Sequence, residues 1–319
     1  MIRQEKLSRI LADAQRPLVV LAHQDDELGC TGVLQRTSDR VTVIFMTNGD
    51  GLAPAAGEDP NAYAELRRKE ALESLRAAGI AADSVRFLGH SEIEIYRHMA
   101  LLGQEPTNRP CVVDFFKPIQ ESIAAAVAEV QPDVVFTVAF QGGHPEHDLA
   151  HFFTAHSLRS RARTHSIPAP PLYQFPEYEL TILIPMRFRP WYRGEVLWVE
   201  LTEAELERKR AMVDCYPSQK DLVRRFERVV SLITLPRRFI LREDTQRSFF
   251  GREQLSPVGP SLDYRAPPYR IDLFNYMFED FEGIPIRFKR CIRPIVAAFE
   301  EMTARAEAKT GNPRGPLVS

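Results

Sequence analysis

Two short clusters of histidine and carboxylate residues have the composition of a metal site. In the first, AHQDDE, Asp26 follows His23 by three residues, and in the second, GGHPEH, His144 and His147 flank a proline and a glutamate. Imidazole nitrogens and carboxylate oxygens are good zinc ligands, and a catalytic zinc needs three protein ligands and an open position for water. His23, Asp26 and one histidine of the second cluster would supply them.

The residue beside these candidate ligands adds a second kind of chemistry. Asp25 is poorly placed to share a metal with Asp26, so it is a candidate for a free carboxylate that accepts a proton from bound water. The metal would lower the pKa of that water towards about 7 and polarise a bound carbonyl. A second histidine could stabilise the developing oxyanion or protonate the leaving amine. These residue types predict hydrolysis of an amide or ester.

Two other interpretations of the clusters stay open. The first cluster could be a helix cap that contains a histidine by chance. In the second, His151 could replace His147 as the third ligand, because histidines four apart on a helix also bind metals. His156 would lie on the opposite, apolar side of that helix, which favours a histidine of the core or of an interface.

Short apolar runs that alternate with helical patterns must position these residues. The runs are rich in Val and Leu, as is typical of strands buried on both faces in a parallel sheet. The predicted strands are Pro17–His23, Val41–Asp50, Ser84–His90 and Asp133–Phe140, and the predicted helices are Asp26–Arg36, Tyr63–Ala78, Phe115–Val130 and His144–Arg159. This order predicts an α/β protein with a Rossmann-like, doubly wound, mostly parallel sheet.

Ligands of such sheets bind outside the carboxyl ends of the strands. That edge would hold the residues 23–27, 48–50, 90–92 and 142–147. Both histidine-carboxylate clusters are therefore expected at the same edge, together with Asn48 and Asp50.

The pattern changes after Arg159. We expect short β segments with a hairpin around Arg193–Gly194, a helical stretch over residues 202–233 that breaks at Pro217, an irregular region over 236–294, and a late helix over 292–308. We predict a catalytic domain over residues 1–220, a C-terminal helical and irregular extension over 221–310 that packs on it, and a disordered tail over 311–319. The extension would form part of the substrate pocket or an oligomer interface.

Composition bounds the class of protein and of partner. The chain has 319 residues, 44% of them hydrophobic and 26% charged, which is ordinary for a soluble globular protein. A net charge of -2 argues against nucleic-acid binding. The four cysteines form no Cys-x-x-Cys pair, so a thiolate zinc site is not indicated. No apolar run approaches a membrane span or a signal peptide. We expect a cytoplasmic protein with a small-molecule substrate, which could form a homo-oligomer.

The combination of AHQDDE and GHPEH resembles the LmbE-like, or PIG-L, family of zinc-dependent N-acetylglucosamine deacetylases. Four further stretches, TNGD, RRKEALESLRAAGI, FLGH and KRAMVDCYPSQ, are similar to family elements and extend the resemblance over roughly residues 15–220. Three positions depart from the family pattern. Gln24 replaces a proline, Glu146 replaces an aspartate and would lie behind the metal ligands, and Gly142 stands where some members carry a tyrosine.

The resemblance implies a role for each residue that matches a family motif. His23, Asp26 and His147 would bind Zn²⁺, or another divalent ion such as Fe²⁺ or Co²⁺. Asp25 would be the general base, and His144 would stabilise charge or donate a proton. The candidates for substrate contacts are Arg67, Arg68, Asn48, Asp50 and Gln219.

These roles predict a zinc-dependent hydrolase that removes the acetyl group from an N-acetylated amino sugar or its glycoside. One alternative is a zinc amidase that cleaves a larger acyl group or a conjugate, since the extension could build a pocket for it. Another is a non-catalytic carbohydrate- or nucleotide-binding module, although such a module would be free to lose Asp25. Dinucleotide binding is poorly supported, because LGCTGVLQ after the first strand is not Gly-x-Gly-x-x-Gly.

Overall fold

Strands and helices alternate through the first half of the chain in the computed structural model, which describes residues 2–179, 184–220 and 250–310. The elements are α1 (Ile2–Asp13), β1 (Pro17–Leu21), α2 (Thr31–Arg36), β2 (Thr42–Thr47), α3 (Ala53–Ala56), α4 (Pro60–Ala77), β3 (Val85–His90), α5 (Glu92–Gln104), α6 (Arg109–Val130), β4 (Val134–Val138) and α7 (Pro145–His165). A 3-10 turn over Asp26–Cys30 connects β1 to α2.

The described residues of the second half contribute shorter strands and two helices. They are β5 (Leu172–Phe175), β6 (Tyr178–Glu179), β7 (Ile184–Pro185), β8 (Leu197–Glu200), α8 (Glu203–Asp214), β9 (Arg252–Pro257), β10 (Asp280–Phe281), β11 (Ile284–Pro285) and α9 (Arg293–Thr310). One π-helical turn over Phe288–Ile292 leads into α9.

Seven of these strands form one sheet in the order β3-β2-β1-β4-β5-β9-β8. The first five are parallel, whereas β9 runs antiparallel to both of its neighbours. Strand β1 lies between β2 and β4, with Val19 opposite Val43 on one side and Phe136 on the other. The chain reverses its direction of winding at this point, which opens a crevice at the carboxyl ends of β1 and β4.

The central strands are covered on both faces, which explains their apolar sequences. Every residue of β1 and β4 is buried. Helices such as α6 and α7 cover the sheet with their own apolar residues, including Phe116 and Phe153. A strand without a solvated face has no polar positions to alternate with, so it reads as a continuous Val- and Leu-rich run.

The predicted fold class is confirmed, and the four predicted strands lie where they were expected. Sequence reasoning missed eight elements of the described structure, namely α1, α3, α5, β5, β6, β9, β10 and β11. Helix α6 begins at Arg109, six residues before its predicted start, with Pro110 in the first turn, where a proline is tolerated.

The predicted hairpin around Arg193–Gly194 is wrong. Strand β8 pairs with β9, which follows it after more than fifty residues, and β7 pairs with β6. The Tyr192 hydroxyl bonds to Gln174 on β5 and Ser256 on β9, so the segment before β8 runs over the sheet as a loop.

The region predicted to be irregular is only partly so, because its described part contains β9. The C-terminal half of the helical stretch over 202–233, the segment 236–249 and the tail over 311–319 lie outside the described residues. The domain division at residue 220 stays a prediction; strand β9 lies inside the sheet, between β5 and β8. None of the helices in the described ranges is long and apolar enough to cross a membrane.

Candidate metal-binding active site

The loop after β1 is folded back by the side chain of Asp26. Its Oδ2 accepts hydrogen bonds from the backbone N–H groups of Ala22, at 3.0 Å, and His23, at 2.8 Å. Its other oxygen, Oδ1, is thereby directed towards the ring of His23. The turn requires Asp25 to adopt a φ of 122°, a backbone conformation that is costly for a residue with a side chain and that is often found at functional sites.

Glu27 stabilises this turn through its buried carboxylate. Its Oε2 accepts the backbone N–H of Asp25 at 3.0 Å, and its Oε1 accepts the hydroxyl groups of Ser74, at 2.6 Å, and of Tyr216. Burial raises the pKa of Glu27, although these hydrogen bonds oppose the shift. Tyr216 belongs to the YPSQ element of the sequence, so that element stabilises the loop through Glu27.

The second cluster is fixed by Asp148 at the start of α7. The Asp148 carboxylate accepts the backbone N–H groups of Gln141, at 2.9 Å, and Gly142, and the hydroxyl of Tyr276 at 2.6 Å. The loop that follows β4 is thus held against the first turn of α7. This places His144 and His147 at the carboxyl edge of the sheet, next to the loop after β1.

The three residues predicted to bind the metal come together at this edge. His147 Nε2 lies 3.0 Å from His23 Nδ1 and 3.0 Å from Asp26 Oδ1, and His23 Nδ1 lies 3.6 Å from the same oxygen. Tetrahedral zinc with bonds of about 2.0–2.2 Å needs ligand atoms about 3.4 Å apart, so this donor set fits such an ion. Burial raises the pKa of Asp26, but His147 and His23 outweigh it and hold that pKa well below its usual range.

His144 completes a cluster of three imidazoles. Its ring packs edge-on against His23 with 4.7 Å between the centroids, and Tyr178 stacks on His147 at 5.3 Å. One nitrogen from each histidine lies within 4.8 Å of the others, so the three could also hold a metal. His144 Nδ1 is buried without a hydrogen-bond partner in the described part of the chain. Burial lowers the pKa of His144, and the neighbouring histidines add to the effect, so this ring is neutral.

Glu146 contacts the other side of His23. Its Oε2 lies 2.8 Å from His23 Nε2, while its Oε1 is buried and has no partner within the described ranges. Burial raises the pKa of Glu146 to about 8, with His23 opposing the shift. Glu92 joins these two residues in a second group with metal-binding donors. The longer side chain in place of the family's aspartate therefore orients a candidate ligand.

Asp25 is held by an arginine on α4. Arg67 Nη2 lies 3.0 Å from Asp25 Oδ2 and also donates to the carbonyl of Gln24, and Nη1 lies 3.3 Å from both Glu70 and Ser218. The arginine side chain is 4% exposed, so its guanidinium contacts protein on all these sides. Burial raises the pKa of Asp25 to about 7, whereas the charge of Arg67 opposes that shift.

The other residues predicted to bind substrate have protein partners. Arg68 pairs with Glu65 at 2.9 Å, and Gln219 donates to the hydroxyl of Tyr63 at 3.1 Å. Asn48 bonds to Asp50, and Asp50 accepts the backbone N–H of Glu92 at 2.8 Å and the hydroxyl of Ser91 at 2.6 Å, which caps α5. These four assignments, and that of Arg67, stay predictions.

The alternative ligand His151 has no nitrogen to offer a metal. Its Nδ1 lies 2.8 Å from the carbonyl of Val138, and its Nε2 lies 2.9 Å from the hydroxyl of Tyr264. Sequence reasoning missed three residues at the site. Tyr96 contacts His144, Glu279 contacts Tyr96, and Tyr178 stacks on His147, although no motif marks any of them.

Known proteins are similar to the part of the chain that carries both histidine-carboxylate clusters. Residues 18–158 match the model of the family described as PIG-L, GlcNAc-PI de-N-acetylase. A 1D-myo-inositol 2-acetamido-2-deoxy-alpha-D-glucopyranoside deacetylase of Catenulispora acidiphila is 28% identical over 210 residues, which cover 60% of this chain and 58% of the relative. The enzyme of the same name from Rhodococcus erythropolis is 28% identical over 225 residues, which cover 65% and 68%. The chain spans roughly half to two thirds of the length of the curated relatives it matches.

Solved structures agree with the fold. A deacetylase of the A40926 pseudoaglycone is 20% identical, with a TM-score of 0.52 over 79% of this chain and all of that chain. A deacetylase from the biosynthesis pathway of teicoplanin is 14% identical, with a TM-score of 0.50 over 77% of this chain and all of that chain. At these identities the likeness establishes the fold alone.

Proposed function

Because residues 18–158 match the model of the PIG-L family, we propose that the chain is a metal-dependent N-deacetylase that hydrolyses the acetamide of an N-acetylated amino sugar or its glycoside. The observation that carries the proposal is the convergence of His23 Nδ1, Asp26 Oδ1 and His147 Nε2 within 3.0–3.6 Å of one another, beside Asp25. The names of the curated relatives favour a substrate in which N-acetylglucosamine is joined to a second polar group.

His23, Asp26 and His147 would hold the metal. A bound zinc ion, or Fe²⁺ or Co²⁺ in its place, supplies polarisation of the acetamide carbonyl and a more acidic water. Asp26 Oδ2 is fully occupied by two backbone N–H groups, so its Oδ1 is fixed in direction before any ion binds. A preoriented ligand of this kind needs little rearrangement on binding.

Asp25 acts as the general base. Arg67 binds its Oδ2, which fixes the carboxylate and leaves Oδ1 for the attacking water. A pKa of about 7 suits a base that works near neutral pH, because the carboxylate is then both available and basic enough to take the proton.

His144 faces the same space through its Nδ1. This nitrogen can hold a proton for the leaving amine or stabilise the charge that develops on the carbonyl oxygen. Its neutral state in the buried cluster keeps it ready to take up that proton.

The test combines metal analysis of the purified protein with a release assay on a panel of N-acetyl sugars, their glycosides and N-acyl analogues with longer chains. We expect a divalent ion in the protein and acetate as the released acid. Release of longer acids but no acetate would favour the amidase alternative. A protein that binds no divalent metal and cleaves none of the panel would contradict the proposal and favour a binding module.

A further inference from the structure

Tyr96 links the candidate site to the C-terminal part of the chain. Its hydroxyl, on α5, lies 2.5 Å from Glu279 Oε2 and 3.2 Å from His144 Nε2. Tyr96 and Glu279 are separated by 183 residues in sequence. The three side chains thus form one hydrogen-bonded row that ends at the imidazole of the active site.

The number of hydrogens that each side chain can donate decides the direction of these hydrogen bonds. Tyr96 has a single hydroxyl hydrogen, and it donates that hydrogen to the Glu279 carboxylate. The tyrosine oxygen can then only accept from His144, which requires the hydrogen of the neutral imidazole to reside on Nε2. The Nδ1 that faces the cluster is therefore bare. This agrees with its lack of a hydrogen-bond partner among the described residues, where Glu146 Oε2 lies 4.0 Å away.

Backbone contacts hold Glu279 in this position. Its N–H donates to the carbonyl of Tyr276 at 3.1 Å, and its own carbonyl accepts the N–H of Ile286 at 3.0 Å. Tyr276 in turn donates its N–H to the carbonyl of Gly142 at 2.7 Å and its hydroxyl to Asp148 at 2.6 Å. The segment that carries Glu279 is thus bound to both ends of the loop that carries His144.

We propose that Tyr96 and Glu279 are positioning residues, which fix His144 in the Nε2–H tautomer and leave its Nδ1 without a hydrogen. The catalytic part of this proposal rests on the proposed deacetylase function, whereas the tautomer does not. In the reaction Nδ1, which is bare at the start, takes up the proton that Asp25 has removed from water. It then gives that proton to the amine nitrogen as the carbon–nitrogen bond breaks, so Nδ1 is bare again at the end. Tyr96 and Glu279 transfer no proton in this step; they hold the ring, as a carboxylate does for a catalytic histidine elsewhere.

The tautomer can be read directly by NMR on metal-free protein. In protein labelled with ¹⁵N-histidine, two-bond ¹H–¹⁵N correlations separate the two tautomers, and the loss of one set of signals in His144→Gln assigns this residue among the eight histidines. We expect Nε2–H in the wild type. In Tyr96→Phe the acceptor is gone, so the signals should shift towards a mixture. In Glu279→Gln the amide can donate to the tyrosine oxygen, which reverses the row and favours Nδ1–H. Glu282→Gln, on the exposed turn of the same hairpin, is the matched control and should leave the spectrum unchanged.

Kinetics on an accepted substrate supply the second readout. Loss of a residue that orients a catalytic group typically costs about 10–100-fold in activity, and we expect Tyr96→Phe and Glu279→Gln to lower kcat by that factor with little change in KM. Glu279→Asp, which keeps the carboxylate, should recover part of the loss. A wild-type His144 in the Nδ1–H tautomer, or a tautomer and kcat that do not respond to either variant, would overturn the proposal. If no substrate is cleaved but the tautomer depends on Tyr96, the proposed function fails and the positioning role stands. If Tyr96→Phe does not fold, the Glu279 variants decide.

Discussion

Lys209 and Glu253 form a buried ion pair that ties α8 and β9 to the first half of the chain. Lys209 Nζ lies 2.8 Å from Glu253 Oε1, and the two side chains are 5% and 2% exposed. The carboxylate also accepts the backbone N–H and hydroxyl of Thr31 and the N–H of Gly32, at 2.5–3.1 Å. Removal of the lysine therefore leaves a buried negative charge that three hydrogen bonds only partly compensate.

We expect Lys209→Met to lower the free energy of unfolding by about 3 kcal/mol, the lower end of the range for a broken buried pair, because those three hydrogen bonds remain. The double variant Lys209→Met/Glu253→Gln removes the charge as well and should recover part of the loss. Urea unfolding followed by circular dichroism and tryptophan fluorescence measures both values. Lys69→Met is the matched control, because Lys69 pairs with Glu65 at 3.7 Å on the surface, where such pairs contribute about 0–1 kcal/mol. A loss in Lys209→Met no larger than in Lys69→Met would refute the reasoning.

Three further predictions concern the metal, the base and acid stability. His23→Ala and His147→Ala should lose the bound metal in elemental analysis, because each removes one of three ligands, whereas the exposed His165→Ala should retain it; retention in the first two would contradict the ligand assignment. Asp25→Asn should keep its metal but lose about 10²–10⁴-fold in kcat, the usual contribution of a general base; wild-type turnover would disprove that role. Burial lowers the pKa of His156 to about 4, with Arg163 and Arg159 adding to the shift. The unfolded state, with its pKa of about 6.5, binds the proton first, so this residue removes up to about 3 kcal/mol of stability as the pH falls from 6.5 to 4. His156→Asn should lose less stability over that interval, and an unchanged pH dependence would show that the histidine does not contribute.

The parts of the fold that sequence predicts well are those whose signals are local. The run that becomes β1 is continuous and apolar because both of its faces are covered. Strand β9 gives no such signal, since it carries Glu253, Gln254 and Ser256 at buried positions. Those polar groups are satisfied by residues far away in the chain, as Lys209 does for Glu253. No window of sequence around β9 contains these partners.

In the candidate site, too, some residues are marked by local motifs and others are brought together only by the fold. Spacing within AHQDDE and GHPEH is enough to nominate His23, Asp26 and a histidine of the second cluster, and the family resemblance selects His147. Tyr96 and Glu279 lie outside any motif, and only the folded chain brings them to His144. Gln24 had no role that the sequence could assign. In the structure it is fully buried and donates to the carbonyl of Thr47 at 2.9 Å, which connects the loop after β1 to the end of β2.

The place of β9 in the sheet has a consequence for biosynthesis. Strand β8 has β9 as its sheet neighbour, and β9 also covers the outer edge of β5. About eighty residues separate β5 from β9, so at about 5–20 residues per second the ribosome needs about 4–15 s to deliver the strand that closes this edge. During that interval the nascent sheet presents an open edge that another chain could pair with. We therefore expect the yield of native protein to depend on the speed of translation and on chaperones that bind nascent chains.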